Sequence, residues 1–157
     1  MRPRTPLSER TKLWTRALLV CGAVVALDQI SKQLVVENIA RGDTVELLPF
    51  LDLANTRNSG VAFGLASGVS PGVIGAALVV LLGLLAFLSS RSRGGWAVWL
   101  PAGLLIGGAL GNLVDRVREG AVIDFIDFSF WPTFNLADTA IVIGVALLVL
   151  APERRQQ

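Results

Sequence analysis

The chain has 157 residues, 53% of them hydrophobic, with a formal net charge of +2 and a mean hydropathy of +0.63. That is room for one domain, too apolar for an ordinary soluble protein, which points to the membrane class. A single cysteine excludes an internal disulfide framework, and the lack of any histidine excludes Ser-His and Cys-His nucleophile pairs along with the usual zinc ligands.

About 20 apolar residues carry a helix across the hydrocarbon core. Four such spans are predicted, at roughly 14–36, 71–89, 96–116 and 136–151. The first has a short uninterrupted apolar run, 17–27, with Asp28 and Lys32 in its far half. The positive charges before it would also suit a signal peptide, but no clean small-x-small cleavage site follows and three more spans come later. Cys21 reads as a buried small hydrophobe. The second span is the cleanest. The fourth is short, and its start could lie among the polar residues before it.

Lys/Arg bias sets the orientation. Arg2, Arg4, Arg10, Lys12 and Arg16 precede the first span, Arg91 and Arg93 separate the second from the third, and Arg154 and Arg155 follow the fourth. With an even number of spans these fall on one side, so both termini are expected to be cytoplasmic and the loops at 37–70 and 117–135 to face outward. In the first outer loop, VELLPFLDLAN alternates in part, and Gly42-Asp43 and Asn58-Ser59-Gly60 supply turn signals. This predicts a β-element at roughly 41–66, lying at the outer surface. Phe125, Ile126, Phe128, Phe130 and Trp131 make the second outer loop read as an interfacial segment resting in the headgroups.

Against this apolar background the polar residues are the informative ones. Asp124 follows the third span and Asp138 opens the fourth. Consecutive spans joined by a short loop are usually antiparallel neighbours, so the two carboxylates should sit at similar depth. Two close carboxylates share a proton, and such a pair can activate water and protonate a carbonyl oxygen. The plainer reading has both acids at wet helix ends, Asp138 as an N-cap-like residue. Asp127 would lie one turn from Asp124 on a helix, and reads better as a solvated acid.

Asp28 and Lys32 are spaced to form an ion pair within the first span. Gly103, Gly107 and Gly111 make a small-residue ridge for close helix packing. Asn112 and Arg116 share a helix face, and the arginine could hold a carboxylate, a phosphate or a carbonyl. Asn58 could bond a peptide backbone. A Ser59–Lys32 nucleophile pair is conceivable, but Asp28 occupies that lysine.

Five stretches then stand out together: DQISK at 28–32, NSGVAFG at 58–64, GGALGNLVDR at 107–116, VIDF at 122–125 and FNLAD at 134–138. In this order they resemble the motif series of bacterial lipoprotein signal peptidase (signal peptidase II). The resemblance implies an all-α membrane protein: four transmembrane helices with a small extracytoplasmic β-cradle and a short interfacial helix. It implies a membrane aspartic endopeptidase of the bacterial cytoplasmic (inner) membrane, acting near the outer face with Asp124 and Asp138 as the catalytic pair. Asp28, Lys32, Asn58, Gly108, Asn112, Asp115, Arg116, Asn135 and Ala137 match positions that order the site or hold substrate. Neither metal nor cofactor is implied. The expected partners are membrane lipid and a prolipoprotein whose cysteine bears diacylglyceryl, with no nucleic acid, and the expected state is a monomer. The departures are Val61, in place of a smaller residue, and the additional polar pair Asn55 and Arg57, neither touching the implied chemistry. Rival classes are a small transporter or channel subunit using the buried charges as an ion path, and a scaffold without chemistry.

Overall fold

The computed structural model describes residues 6–59 and 96–150. The predicted span at 71–89, the part of the β-element beyond Ser59, and Arg91, Arg93, Arg154 and Arg155 lie outside the described residues.

Three helices are described: α1 (Pro6–Asn38), α2 (Trp96–Glu119) and α3 (Leu136–Leu150). At 1.5 Å per residue α1 runs about 50 Å, well past the predicted 14–36. By length and composition α1 and α2 can each cross a membrane, and α3 is a shorter apolar helix. Leu18, Leu19, Leu27, Ile30 and Leu34 on α1 and Val142, Val149 and Leu150 on α3 are exposed, the surface expected of helices that meet lipid rather than water.

The helices pack through small residues, as the ridge predicts. A Cβ added at Gly103 would lie 2.6 Å from that of Val20, and one at Gly107 2.8 Å from that of Val24. Further along, Gly111 faces Asp28. The partners advance together, so α1 and α2 run in the same direction. Across α3 they run oppositely: Leu105 meets Gly144, Gly108 meets Ile141, and Asn112 meets Asp138.

The expectation of an all-α chain is corrected by a four-stranded antiparallel meander, β1 (Thr44–Leu48), β2 (Leu51–Asn58), β3 (Val122–Phe128) and β4 (Trp131–Phe134). The second outer loop is therefore half of a sheet, and no short interfacial helix exists among the described residues. The physical reason lies in VIDFIDF, whose β-branched and aromatic residues suit a pleated surface better than a helix. Gly120, at φ +73°, stops α2 in a left-handed conformation and turns the chain into β3. Gly42, at φ +89°, does the same between α1 and β1, where its N–H donates to the Asn55 carbonyl at 2.9 Å. The sheet is fixed to the helices by an apolar cluster: Val35 and Ile39 at the end of α1 and Phe125 of β3, with Leu53, Ile126 and Leu136 packed on them.

Candidate active site

All four chain segments that converge at this end of the bundle bring polar residues with them. From α1 come Asp28 and Lys32, one turn apart and 0% and 1% exposed; from α2 come Asn112 and Asp115, the latter 3% exposed. Lys32 Nζ donates to Asp28 Oδ2 at 2.8 Å and to Asn112 Oδ1 at 3.3 Å, and pairs with Asp115 Oδ2 at 2.7 Å. Two buried carboxylates around one ammonium need further donors, and the backbone supplies them. The Ala137 N–H donates to Asp28 Oδ1 at 3.0 Å, and the Ile123 N–H donates to Asp115 Oδ2 at 3.1 Å. One ion cluster thus clamps α1, α2, β3 and the start of α3 together.

Above this clamp sit the two aspartates of the sequence reading. Asp124, on β3, is 2% exposed, and Asp138, in the first turn of α3, is half-buried. Asp124 Oδ1 accepts from Asn135 Nδ2 at 2.7 Å and its Oδ2 from Asn58 Nδ2 at 2.9 Å. Asp138 Oδ1 accepts from Asn112 Nδ2 at 2.7 Å and its Oδ2 from the Asn135 N–H at 3.3 Å. Asn135 therefore touches both carboxylates. It is also the N-cap of α3, because its Oδ1 accepts from the Asp138 N–H at 2.9 Å. Asn135 and Asp138 form a reciprocal capping box, so Asp138 is the third helical residue rather than the N-cap-like one, and α3 begins no earlier than Leu136.

Burial pushes the Asp124 carboxyl above the ordinary carboxylate range. The neighbouring Asp138 charge adds to that push, while the amides of Asn58 and Asn135 and the Lys32 ammonium pull it back. A buried acid with one acidic neighbour, at the edge of an apolar bundle, is suited to holding a proton for transfer.

Gly108 and Arg116, also predicted, both lie on α2. A Cβ at Gly108 would run into the Ala137 carbonyl oxygen, so the glycine is what lets α3 approach α2 next to Asp138. Arg116 Nη1 donates to the Asn112 carbonyl at 3.3 Å, and its Nε is buried with no hydrogen-bond partner. Asp127 lies apart. On a strand, three positions from Asp124 is the opposite face, and Asp127 pairs across the ladder with Asp52. Ser59 is exposed while Lys32 is buried in its ion cluster, so nothing supports the Ser–Lys pair.

Three residues escape the sequence reading. Gln29 bridges the clamp, its Nε2 donating to Asp115 Oδ1 at 2.8 Å and to Asp28 Oδ2 and the Gly111 carbonyl at 3.3 Å. Its signal was present: an amide inside an apolar helix is costly unless it is hydrogen-bonded. Asn55 donates to the Ile39 carbonyl at 2.6 Å and occupies a bulge in β2, where Ala54 and Asn55 stand against Phe125 alone. The bulge sets Thr56 opposite Asp124, whose carbonyl accepts from Thr56 Oγ1 at 2.9 Å. Sequence carries no sign of such a register shift.

Apolar helices with a carboxylate-bearing polar site at one end suit a membrane enzyme. A solved bacterial membrane enzyme, determined at 1.9 Å by the in meso method, shares the fold with a TM-score of 0.80 and 33% sequence identity, covering 89% of this chain and 94% of that one. Residues 20–152 match the family model described as Signal peptidase (SPase) II. The lipoprotein signal peptidase of Halothermothrix orenii is 44% identical over 128 residues, 81% of this chain and 88% of its own. That of Desulfitobacterium hafniense is 42% identical over 134 residues, 84% and 89% of the two chains. The chain belongs to the signal peptidase II family. It is a protease that removes signal peptides from lipoproteins.

Proposed function

We propose that the chain is an intramembrane aspartic endopeptidase whose catalytic pair is Asp124 and Asp138. The observation that carries this is the convergence of both carboxylates on one residue, Asn135, through its side-chain amide and its backbone N–H. One ionised member takes a proton from water, and the other, protonated, donates to the oxygen of the scissile carbonyl. The clamp of Asp28, Lys32, Asp115 and Gln29 holds β3 and the start of α3, the two elements that carry the pair, while Asn58, Asn112 and Arg116 offer amide and guanidinium donors to an extended substrate backbone.

The substrate in this reading is a prolipoprotein bearing diacylglyceryl on its cysteine, cut just before that residue. Such a substrate is itself a membrane helix with the bond near the outer leaflet. A site at the end of α2 and the start of α3 meets it there, and its lipid remains in the bilayer. The common direction of α1 and α2, with α3 running against them, supports an even number of spans with both termini on one side, and the Lys/Arg bias makes that side cytoplasmic; in this reading the enzyme is a monomer of the inner membrane. The test is a gel-shift assay with purified protein and a diacylglyceryl-modified prolipoprotein, beside Asp124→Asn and Asp138→Asn. Cleavage by the parent and none by either folded variant is expected; full activity in either variant removes that aspartate from the chemistry.

A further inference from the structure

The polar pair Asn55 and Arg57 lies outside the five motifs. Resting on the aspartic reading above, we propose that Asn55 is a positioning residue of the peptidase. It locks the extra residue of β2 in place, which brings the neutral amide of Asn58 beside Asp124 and keeps the guanidinium of Arg57 on the opposite face of the sheet.

Strand parity carries this. Along β3, Val122, Asp124 and Ile126 alternate with their neighbours, so their side chains share one face. Leu53 pairs with Ile126, Thr56 with Asp124 and Asn58 with Val122, and residues directly opposite share a face as well. Leu53 and Asn58 are separated by an odd number of positions, which on a regular strand sends two side chains to opposite faces. The extra residue of the bulge is what turns Thr56 and Asn58 to the face of Asp124. Regular pairing onward from Leu53 would instead set Asn55 against Asp124 and Arg57 against Val122. Arg57 would then hold the diagonal place of Asn58, from which Asn58 Nδ2 donates to Asp124 Oδ2 at 2.9 Å. A guanidinium there binds the carboxylate bidentately and favours its charged form. A pair that works by sharing one proton needs one carboxyl neutral.

Asn55 has the contacts of a lock. It is 2% exposed. Its backbone N–H donates to the Asp43 carbonyl at 3.0 Å, and its carbonyl accepts from the Gly42 N–H at 2.9 Å. Its Nδ2 donates to the Ile39 carbonyl at 2.6 Å, and its Oδ1 accepts from Arg57 Nη1. The extra residue of a bulge is ordinarily left unpaired. Here the turn after α1 holds its backbone, and its side chain ties Arg57 to the far face, where Arg57 stands opposite Ile123. The other charges around Asp124 are already placed. Lys32 from α1 and Asp138 from α3 bear on it directly. Asp28 and Asp115 are engaged with Lys32, Arg116 on α2 donates to the Asn112 carbonyl, and Asp127 lies on the opposite face of β3. β4, WPTF, brings no titratable residue. Arg57 is therefore the cation whose face the bulge decides.

The test is the kcat/KM–pH profile on lipidated prolipoprotein, with the full chain in nanodiscs and its fold checked by circular dichroism at each pH. The alkaline limb reports loss of the proton that the pair must keep. In Asn55→Ala regular pairing becomes available; cleavage is expected to slow and the alkaline limb to move down by about 1 pH unit or more. Adding Arg57→Gln is expected to return the limb to the parent position, because glutamine brings no charge. Arg57→Gln alone is expected to leave the limb where it is. A folded Asn55→Ala with an unmoved limb is what a merely structural asparagine would give, and it overturns the proposal. So does a limb that stays lowered in the double variant, or one that Arg57→Gln alone raises. Where Asn55→Ala does not fold, Asn55→Ser is read in the same way, and Arg57→Gln still decides on which face the guanidinium lies. Asp124→Asn in the same assay separates the two readings. Full activity there overturns the aspartic pair; an inactive Asp124→Asn beside an unmoved limb in Asn55→Ala overturns the role of Asn55 and leaves the pair standing.

Discussion

At Asp124 burial, helped by the Asp138 charge, outweighs the pull of the Asn58 and Asn135 amides and of Lys32, and the consequence is a pH-dependent cost. The unfolded chain releases this proton near the ordinary value of 3.8, whereas the folded protein holds it to higher pH. Between those two values the folded state binds more protons, so stability falls as pH rises through the window and is lowest above it. Asp124→Asn removes the titrating carboxyl and with it this cost. Its melting temperature at pH 7 is expected to equal or exceed the parent's, with the gap closing in acid; a clearly lower value at neutral pH contradicts the account. Lys32 has the opposite sign. Lys32→Met strands Asp28 and Asp115 in the interior without a cation, and a loss of about 3–5 kcal/mol is expected, read from denaturant unfolding in mild detergent. Two neighbouring substitutions, each replacing an ionisable group of one site by a neutral one, should thus shift stability in opposite directions.

At the scale of elements, the polar residues and the helical glycines were legible and the strand geometry was not. The ridge of Gly103, Gly107 and Gly111 could be read because a four-residue spacing alone decides which face they share. Asn135 and Asp138 could have been read as a capping box, since the amide and the acid stand three apart before an apolar run. Segment 122–128 was harder. On a helix Asp124 and Asp127 would share a face, and only strand pairing, which depends on distant β2, sends them to opposite ones. The bulge at Asn55 is invisible for the same reason. Gly108 offers a test of how far element spacing controls the site. A Cβ there would meet the Ala137 carbonyl and come within 2.7 Å of Ile141 Cγ1. The carbonyl belongs to helix backbone, so α3 must back away and carry Asp138 with it. Gly108→Ala is expected to stay folded and lose about 100-fold in kcat, the order of effect of a 1 Å misplacement. Gly22→Ala is the control, since nothing lies within 4 Å of its added Cβ, and it should cleave like the parent.

For the molecule as a whole, the sheet has two unlike faces and a distinctive end. Glu46, Asp52 and Asp127 stand directly opposite one another across β1, β2 and β3. Like charges in that register repel, which is tolerable only where water screens them, so this face is wet. The register also puts the β1–β2 and β3–β4 turns at one end, beside the Leu51–Phe128 pair, while the Asn58–Val122 end joins the helices. At the turn end Leu48, Phe50, Phe130 and Trp131 are 46%, 54%, 78% and 63% exposed. Large aromatic and aliphatic side chains grouped beside a membrane bundle suit the headgroup layer, where an amphipathic indole is favoured. The sheet is therefore expected to lie along the membrane surface with its turns dipped into it and its acidic row facing water. Trp131 reports this directly once Trp14, Trp96 and Trp99 are replaced by Phe. In nanodiscs, lipids brominated near the headgroup should quench its fluorescence more strongly than lipids brominated near the chain ends. Equal and negligible quenching by both would mean that the sheet stands clear of the bilayer, and that its apolar turns await a protein surface instead.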